Sequence, residues 1–398
     1  MAQKVKKKSK LFTSGVPDYP LLVITMLLLM FGLVMLLSAS APSSLSEKGT
    51  SYFYFWRQLM FAGIGLGFMI AAMVFNYKLL DNKISRIFFY ILSLIMAVSV
   101  LAFGNSSGGA TRWIQIGPIS FQPSEVIKLA LILFYASYLP TIKERVQKQN
   151  GFWRKYFVGF FMPLAYLGVV MLTVYKFQNH LSVCILIAAI TCVQMFVSGV
   201  KIRQFVITFV VLAAIGLMVW GCYSIVNSVT DTVETEEAGF NFRNERIKIW
   251  LDPDSNFTGT GWQINQSFFA IASGELLGVG LGDSNQKNLY LPEPHNDFIF
   301  AVVAEELGFV GAIVVILLFG LFIWRGLVIS MNAPDMFGTL IAIGVTALIG
   351  LEAIINIAVV TGTIPVTGML LPFFSYGGSS LVVNLVAVGL LLGVSRSE

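Results

Sequence analysis

Apolar residues fall along this chain in long, nearly unbroken runs separated by short polar connections. The runs cover 20–41, 57–76, 86–103, 122–139, 157–175, 180–198, 204–226, 298–324, 338–361 and 373–394. Each is close to the roughly 20 residues a helix needs to cross a bilayer. A segment in lipid must satisfy its own backbone hydrogen bonds, so each run reads as a helix. The pattern predicts an all-α polytopic membrane protein of about ten transmembrane helices. The first run has too long an apolar core, and no clear small-residue cleavage site, to be a cleaved signal peptide. The one long interruption, 227–297 between the seventh and eighth helices, is the only sizeable non-membrane part. Its later stretch, SFFAIASGELLGVGLG, is apolar but broken by glycine. It is expected to lie at the interface or fold back as short helices over a cavity.

Composition leaves little room for another class. The chain of 398 residues is 56% hydrophobic and 12% charged, with a mean hydropathy of +0.79; soluble domains of this size do not look like that. Charge fixes the orientation. Lys4, Lys6, Lys7, Lys8 and Lys10 precede the first run, and further basic residues sit between runs 2 and 3, 4 and 5, and 6 and 7. The positive-inside rule makes those ends cytoplasmic. Both termini are then expected inside, with 227–297 extracytoplasmic. Residues 1–19 read as a basic cytoplasmic tail and 20–398 as a single membrane domain. Attraction to anionic membrane lipids explains the tail, so no nucleic-acid partner is invoked. Cys184, Cys192 and Cys222 lie in or beside apolar runs without metal-ligand or disulfide spacing. They read as apolar fillers.

The strongest chemical signal is YLPEPHNDFIFAVVAEE at 290–306. It places His295 and Asp297, the best acid/base candidates, where the long loop meets a membrane helix. An ionisable group there is costly, so function is the default reading. Pro292 and Pro294 keep the approach extended, and Asp297 is expected in the first helical turn, where exposed N–H groups favour an anion. Ala301, Ala304 and Gly308 continue the face of Asp297 as small residues. They either permit close packing or leave a groove for a lipid chain. Glu305 and Glu306 read as structural, by pairing or capping. In GGATRWIQIGPISFQPSEVIKLA, Glu125 and Lys128 share a helix face. The pair either locks two helices together or lets Lys128 join Arg112 in holding the phosphates of an anionic lipid. Near the C-terminus, TGTIPVTGMLLPFFSYGGSSL is broken by proline and glycine. Such backbone is tolerated where it lines a polar cavity, which Ser375, Ser379 and Ser380 could line. Glu352 and Asn356 share a face and could hydrogen-bond across helices. His180, at a membrane edge, reads as a hydrogen-bonded boundary residue.

These stretches resemble the SEDS family (shape, elongation, division and sporulation), the FtsW, RodA and SpoVE peptidoglycan polymerases. The matching pieces are RWIQIGPISFQPSEVIKLA at 112–130, RNERIKIWLDP at 243–253, the segment 259–311 and INIAVVTGTIPVTGMLLPFFSYGGSSL at 355–381. With the span pattern they cover nearly the whole chain, and QK-x-x-YLPE is closer to the division and sporulation branch than to rod elongation. The chain departs from the family in Asn296 where Thr is usual, Glu352 where Gln is usual, and QNHLS at 178–182 where QPDLG is common.

The resemblance implies polymerisation of lipid II, a disaccharide peptide on undecaprenyl pyrophosphate, into β-1,4-linked glycan outside the cytoplasmic membrane. It places the family's catalytic aspartate on Asp297, as the base that takes the proton from the acceptor's 4-hydroxyl in an inverting displacement. Arg112 and Lys128, and a divalent cation such as magnesium or manganese, would hold the pyrophosphate. His295 would orient Asp297 or the sugar, or cap the helix entry. The implied partner is a class B penicillin-binding protein, a single-span transpeptidase. Two competing readings are a transporter that flips lipid-linked sugar and a non-catalytic scaffold for the transpeptidase.

Overall fold

The computed structural model describes residues 11–12, 15–107, 110–117, 119–149, 151–206, 208, 246, 248–251, 260–288 and 290–397. Its first helices are α1 (Tyr19–Lys48), α2 (Phe53–Val74) and α3 (Lys83–Phe103). A three-stranded sheet, β1 (Gly104–Ser107), β2 (Ala110–Ile116) and β3 (Ile119–Phe121), leads into α4 (Pro123–Gln147). Next, α5 (Phe152–Tyr156) passes through a π turn at Phe157–Phe161 into α6 (Met162–Gln178), followed by α7 (Leu181–Val197). The C-terminal half holds α8 (Thr260–Ser273), α9 (Ile299–Asn332), α10 (Met336–Val360) and α11 (Gly378–Ser395).

Among the described residues, 8 helical stretches are long and apolar enough to cross a membrane, α5 and α6 counting as one from Arg154 to Gln178. The predicted run 180–198 is α7, apolar but only 17 residues long. Most of the predicted run 204–226, and the first part of the long loop, lie outside the described residues. The protein is a multi-pass membrane protein. Helix starts follow from local chemistry. Asp18 Oδ1 accepts from Leu21 N at 2.8 Å ahead of α1, Asn82 Oδ1 from Ser85 N at 2.8 Å ahead of α3, and Asp335 Oδ1 from Gly338 N at 2.7 Å ahead of α10. Pro123 opens α4, where its missing N–H costs nothing.

Helices α4, α10 and α11 form the buried centre, while α2, α3 and α6 turn most of their apolar surface outward to lipid. Small residues let α2 and α11 approach closely: a Cβ on Gly389 would collide with the Met69 backbone. The sheet is antiparallel in the order β1-β2-β3, with Asn105 opposite Trp113 and Gln115 opposite Ser120. It was not part of the all-α expectation. The β-favouring TRWIQI stretch is its local cause, and it fixes Arg112 and Trp113 on β2 at the end of the bundle where α4 begins.

Two expectations change in α9. The helix begins at Ile299, so Asp297 stands just ahead of it rather than in its first turn. The small-residue face of α9 is occupied. Gly308, at φ 65°, leaves helical geometry, and the helix's own bonds there are exchanged for four with the turn that follows α8. Val279 N and Gly280 N donate to Glu305 O and Glu306 O at 3.0 and 3.1 Å, while Phe309 N and Val310 N donate to Glu275 O and Leu276 O at 2.9 and 3.2 Å. The turn approaches so closely that a Cβ on Gly278 or Gly308 would strike backbone. The stripe is thus filled by protein backbone, which excludes a lipid groove at Gly308. Glu305 and Glu306 secure this arrangement, as expected. Glu305 accepts from Ser284 Oγ at 2.5 Å and Asn285 N at 2.9 Å, and Glu306 from Lys287 Nζ at 2.7 Å and Ser38 Oγ at 2.6 Å.

Candidate active site

Asp297 closes a short proline-rich approach whose backbone is pinned residue by residue. His295 O accepts from Tyr376 N at 2.8 Å, Asn296 O from Ser375 Oγ at 2.7 Å, and Asp297 O from Asn356 Nδ2 at 2.8 Å. The broken segment between α10 and α11 therefore has a definite task, which is to fasten 295–297. It is itself anchored. Asn356 Nδ2 also donates to Met369 O at 2.7 Å, and Gln58 bridges Ser375 O and Gly377 N at 3.0 and 3.3 Å. On its far side, Arg246 Nη1 donates to Val366 O at 3.1 Å, Trp250 Nε1 to Gly362 O at 2.7 Å, and Ser182 Oγ to Thr367 O at 3.0 Å.

The Asp297 carboxylate sits deep in this frame yet is still reached by solvent. Its Oδ2 lies 3.5 Å from where a Cβ on Gly368 would be, and Gly368 holds φ at 69°. Burial pushes the carboxyl up to about 6, with help from the charge of Glu293, while Arg246 and Arg112 pull it down. The group is thus a carboxylate at neutral pH with a basicity suited to receiving a proton. His295 lies beside it in sequence but packs elsewhere. Its ring stacks on Tyr54, with centroids 4.6 Å apart and planes at 27°, and meets the edge of Tyr376 at 6.0 Å. Burial lowers its pKa, against the charges of Glu293 and Glu47. This geometry makes His295 a packed entry residue rather than a partner of the carboxylate.

The other predicted site residues divide. The positive charge of Arg112 reaches Asp297, and its Nη2 donates to Asn179 O at 3.1 Å. Lys128 is not free to hold a pyrophosphate. It is 3% exposed and is bonded to Glu125 at 2.8 Å and to Glu352 on α10. The Glu352 bond joins α4 to α10 through Lys128, while Glu125, one turn before Lys128 on α4, supplies its second buried carboxylate. The hydroxyls of Ser375 and Ser379 are likewise engaged by protein. Ser375 Oγ accepts from Leu371 N at 2.8 Å, and Ser379 Oγ from Gln122 N at 3.2 Å just ahead of α4. Among the described residues no three His, Cys, Asp or Glu side chains gather as a metal-ligand set. One carboxylate under the positive charge of two arginines is a poor donor set for a divalent cation.

Three residues gain importance. Arg246, from the acidic loop, lies within electrostatic reach of Asp297; its only sequence signal is a basic residue in an otherwise acidic stretch. Asn356 bonds across helices as its shared face with Glu352 suggested, but its partners are the site's own carbonyls. His180 is not the hydrogen-bonded boundary residue expected: it is buried, and neither ring nitrogen has a hydrogen-bond partner.

Known proteins match nearly the whole of this chain. The chain is 40% identical over 385 residues to stage V sporulation protein E of Bacillus subtilis, covering 96% of this chain and 97% of that protein. It is 35% identical over 378 residues to the probable peptidoglycan glycosyltransferase FtsW of Trichlorobacter lovleyi, covering 95% and 93%. Its fold matches a chain from a solved peptidoglycan synthase complex described as coordinating polymerization and crosslinking, at a TM-score of 0.72 and 26% identity over 96% of this chain and 98% of that one. The model of the FtsW/RodA/SpoVE family, described as cell cycle protein, matches residues 19–398. The family match over 19–398 and these identities over nearly the full length of each relative show that the chain belongs to the FtsW/RodA/SpoVE family.

Proposed function

We propose that this protein is a peptidoglycan glycosyltransferase that polymerises lipid II into β-1,4-linked glycan, with Asp297 as general base. The observation that carries the assignment is Asp297, its backbone fastened at the membrane edge and its carboxylate basic enough to take a proton under the positive charge of Arg246 and Arg112. Membership of a family that includes FtsW glycosyltransferases supplies the substrate class.

The acceptor's 4-hydroxyl gives its proton to Asp297 as its oxygen bonds to the anomeric carbon of the donor. The bond from that carbon to the pyrophosphate oxygen breaks, and the electron pair leaves with the pyrophosphate. Attack opposite the leaving group inverts an α-linked donor to a β linkage. The charge that grows on the pyrophosphate falls to Arg112 and Arg246, which replace Lys128 in that role. A good leaving group needs no dedicated acid, unlike an ordinary glycoside. By the positive-inside rule the site faces out of the cytoplasm, where the acceptor strand grows. The similarity to a chain of a polymerising and crosslinking complex supports a class B penicillin-binding protein as partner.

The broken backbone at 361–377 does not require a transport path, since its bonds to 295–297 account for it. The test uses purified full-length protein in detergent with labelled lipid II, with and without the transpeptidase. Polymer that a muramidase digests is the expected product. A transporter or scaffold makes none, because a micelle has no second compartment.

A further inference from the structure

The connection between α4 and α6 plays no part in the site described above. Helix α4 ends at Gln147, and α5 leads into the π turn at Phe157–Phe161. A π turn is rare and recurs at functional sites. Here it sorts four rings into two stacked pairs. Tyr156 and Phe160 stack at 5.5 Å and turn toward the protein, where Phe160 meets the edge of Phe205 at 5.1 Å and the Tyr156 hydroxyl bonds to Thr208 Oγ1 at 2.6 Å. Phe157 and Phe161 stack at 5.2 Å and stay half-exposed. Gly159 lets the turn sit close on α4, since a Cβ there would lie 2.9 Å from Val146 Cγ2.

A cavity of about 500 Å³ opens between this turn and the end of α4. Phe157, Val158, Phe161 and the Tyr156 ring wall it, and Gln149 and Arg154 are its polar lining. Its volume falls among those of small-ligand sites, roughly 300–1,000 Å³. Two features limit the occupant. The walls belong to a helix that turns most of its apolar surface to lipid, so an acyl chain is the apolar group at hand. The mouth is cationic. Residues 143–155 hold Lys143, Arg145, Lys148, Arg154 and Lys155 against the single acid Glu144, and among the described residues no carboxylate pairs with Arg154. The positive-inside rule puts this end of the bundle at the cytoplasmic leaflet, where basic pockets between helices suit anionic headgroups. A partner's helix fits less well, because it packs along ridges and grooves that run for several turns.

We propose that this cavity is a binding site for an anionic glycerophospholipid of the cytoplasmic leaflet, with Arg154 and Gln149 on its phosphate and its acyl chains against Phe157, Val158 and Phe161. The Arg154 guanidinium donates a charge-assisted bond to a phosphate oxygen, and the Gln149 amide donates beside it. A zwitterionic lipid carries the same phosphate but brings an ammonium into a mouth already rich in cations, and that repulsion gives the selectivity. The site stands apart from Asp297 and does not depend on the glycosyltransferase reading.

The test is retention of lipid by full-length protein in detergent, read by native mass spectrometry with phosphatidylglycerol or phosphatidylcholine of the same acyl chains. Arg154 is exposed, so Arg154→Gln should fold and melt as wild type does. Wild type should hold phosphatidylglycerol in preference to phosphatidylcholine, and Arg154→Gln should weaken that binding about tenfold, the effect of one hydrogen bond to a charged group. Lys155→Gln removes the same charge one residue away, outside the cavity lining, and should change it by less than about twofold, as a solvated surface charge does. Val158→Trp, which fills the cavity, should lose the retained lipid. Equal binding of the two lipids by wild type would overturn the proposal, as would retention by a folded Val158→Trp. Equal losses in Arg154→Gln and Lys155→Gln would overturn it too, because diffuse surface charge would then explain the preference. Release of the bound phosphatidylglycerol when the transpeptidase joins would assign the cavity to a partner's helix and overturn it as well.

Discussion

Asn356→Ala tests whether the site is held from behind. The side chain is 1% exposed, and its Nδ2 donates to Asp297 O at 2.8 Å and Met369 O at 2.7 Å. Alanine leaves two buried carbonyls without a donor. At about 1–3 kcal/mol for each such group, with some recovery through water, the loss is about 2–4 kcal/mol. The catalytic consequence differs from the stability loss. Asp297 would keep its carboxylate but lose the bond that fixes its backbone, and a misplacement near 1 Å can lower a rate by about a hundredfold. Asn356 touches no substrate in this account, so kcat should fall at least about tenfold while KM for lipid II stays within about twofold. Steady-state glycan synthesis and unfolding in SDS, run on one preparation, measure both. Wild-type kcat in a destabilised variant would refute the claim that Asn356 positions the base.

Other outcomes follow from the same geometry. Polymerisation should fall as pH is lowered through about 6, about tenfold per unit below it, as Asp297 takes up its proton. Arg246→Gln removes a charge that favours the ionised form, so a pH–rate profile should show that limb at higher pH. The folded carboxyl binds its proton more tightly than an ordinary carboxyl near 4, so its contribution to stability declines between about pH 4 and 6 and stays low above. Asp297→Asn should therefore melt higher than wild type at pH 7. Lys128→Met strands two buried carboxylates and should cost about 3–5 kcal/mol, whereas Glu352→Gln leaves Lys128 paired with Glu125 and should express and melt close to wild type. Gly308→Val should prevent the turn after α8 from docking, seen as a lower yield of folded, monodisperse protein.

The sequence revealed what is set by local chemistry. Apolar runs of membrane length marked the helices, and their starts coincide with Asp18, Asn82, Asp335 and Pro123, each of which caps or opens a helix within a few residues. An aspartate at a proline-rich membrane edge was visible for the same reason. What stayed hidden depends on partners distant in sequence. Nothing near Lys128 shows that Glu352, on α10, completes its pairing and withdraws it from substrate. The charge of Arg246 reaches Asp297 only through the fold, and Ser375 meets Asn296 only through it. The exchange of backbone bonds at Gly308 was equally hidden, because a glycine in an apolar run reads as packing until another backbone is found against it. Strands β1 and β3, four and three residues long, are too short for alternation to stand out from a polar loop.

The central claim is that Asp297 takes the acceptor's proton, and the most direct test is glycan synthesis from labelled lipid II by Asp297→Asn beside wild type. Both proteins should be assayed near pH 7.5 with the transpeptidase present, after each is shown to be folded. General base catalysis is worth about 10²–10⁴ in rate, so the asparagine variant should make no more than about one hundredth of the wild-type polymer. Equal polymer from the two proteins would contradict the account and require a different base.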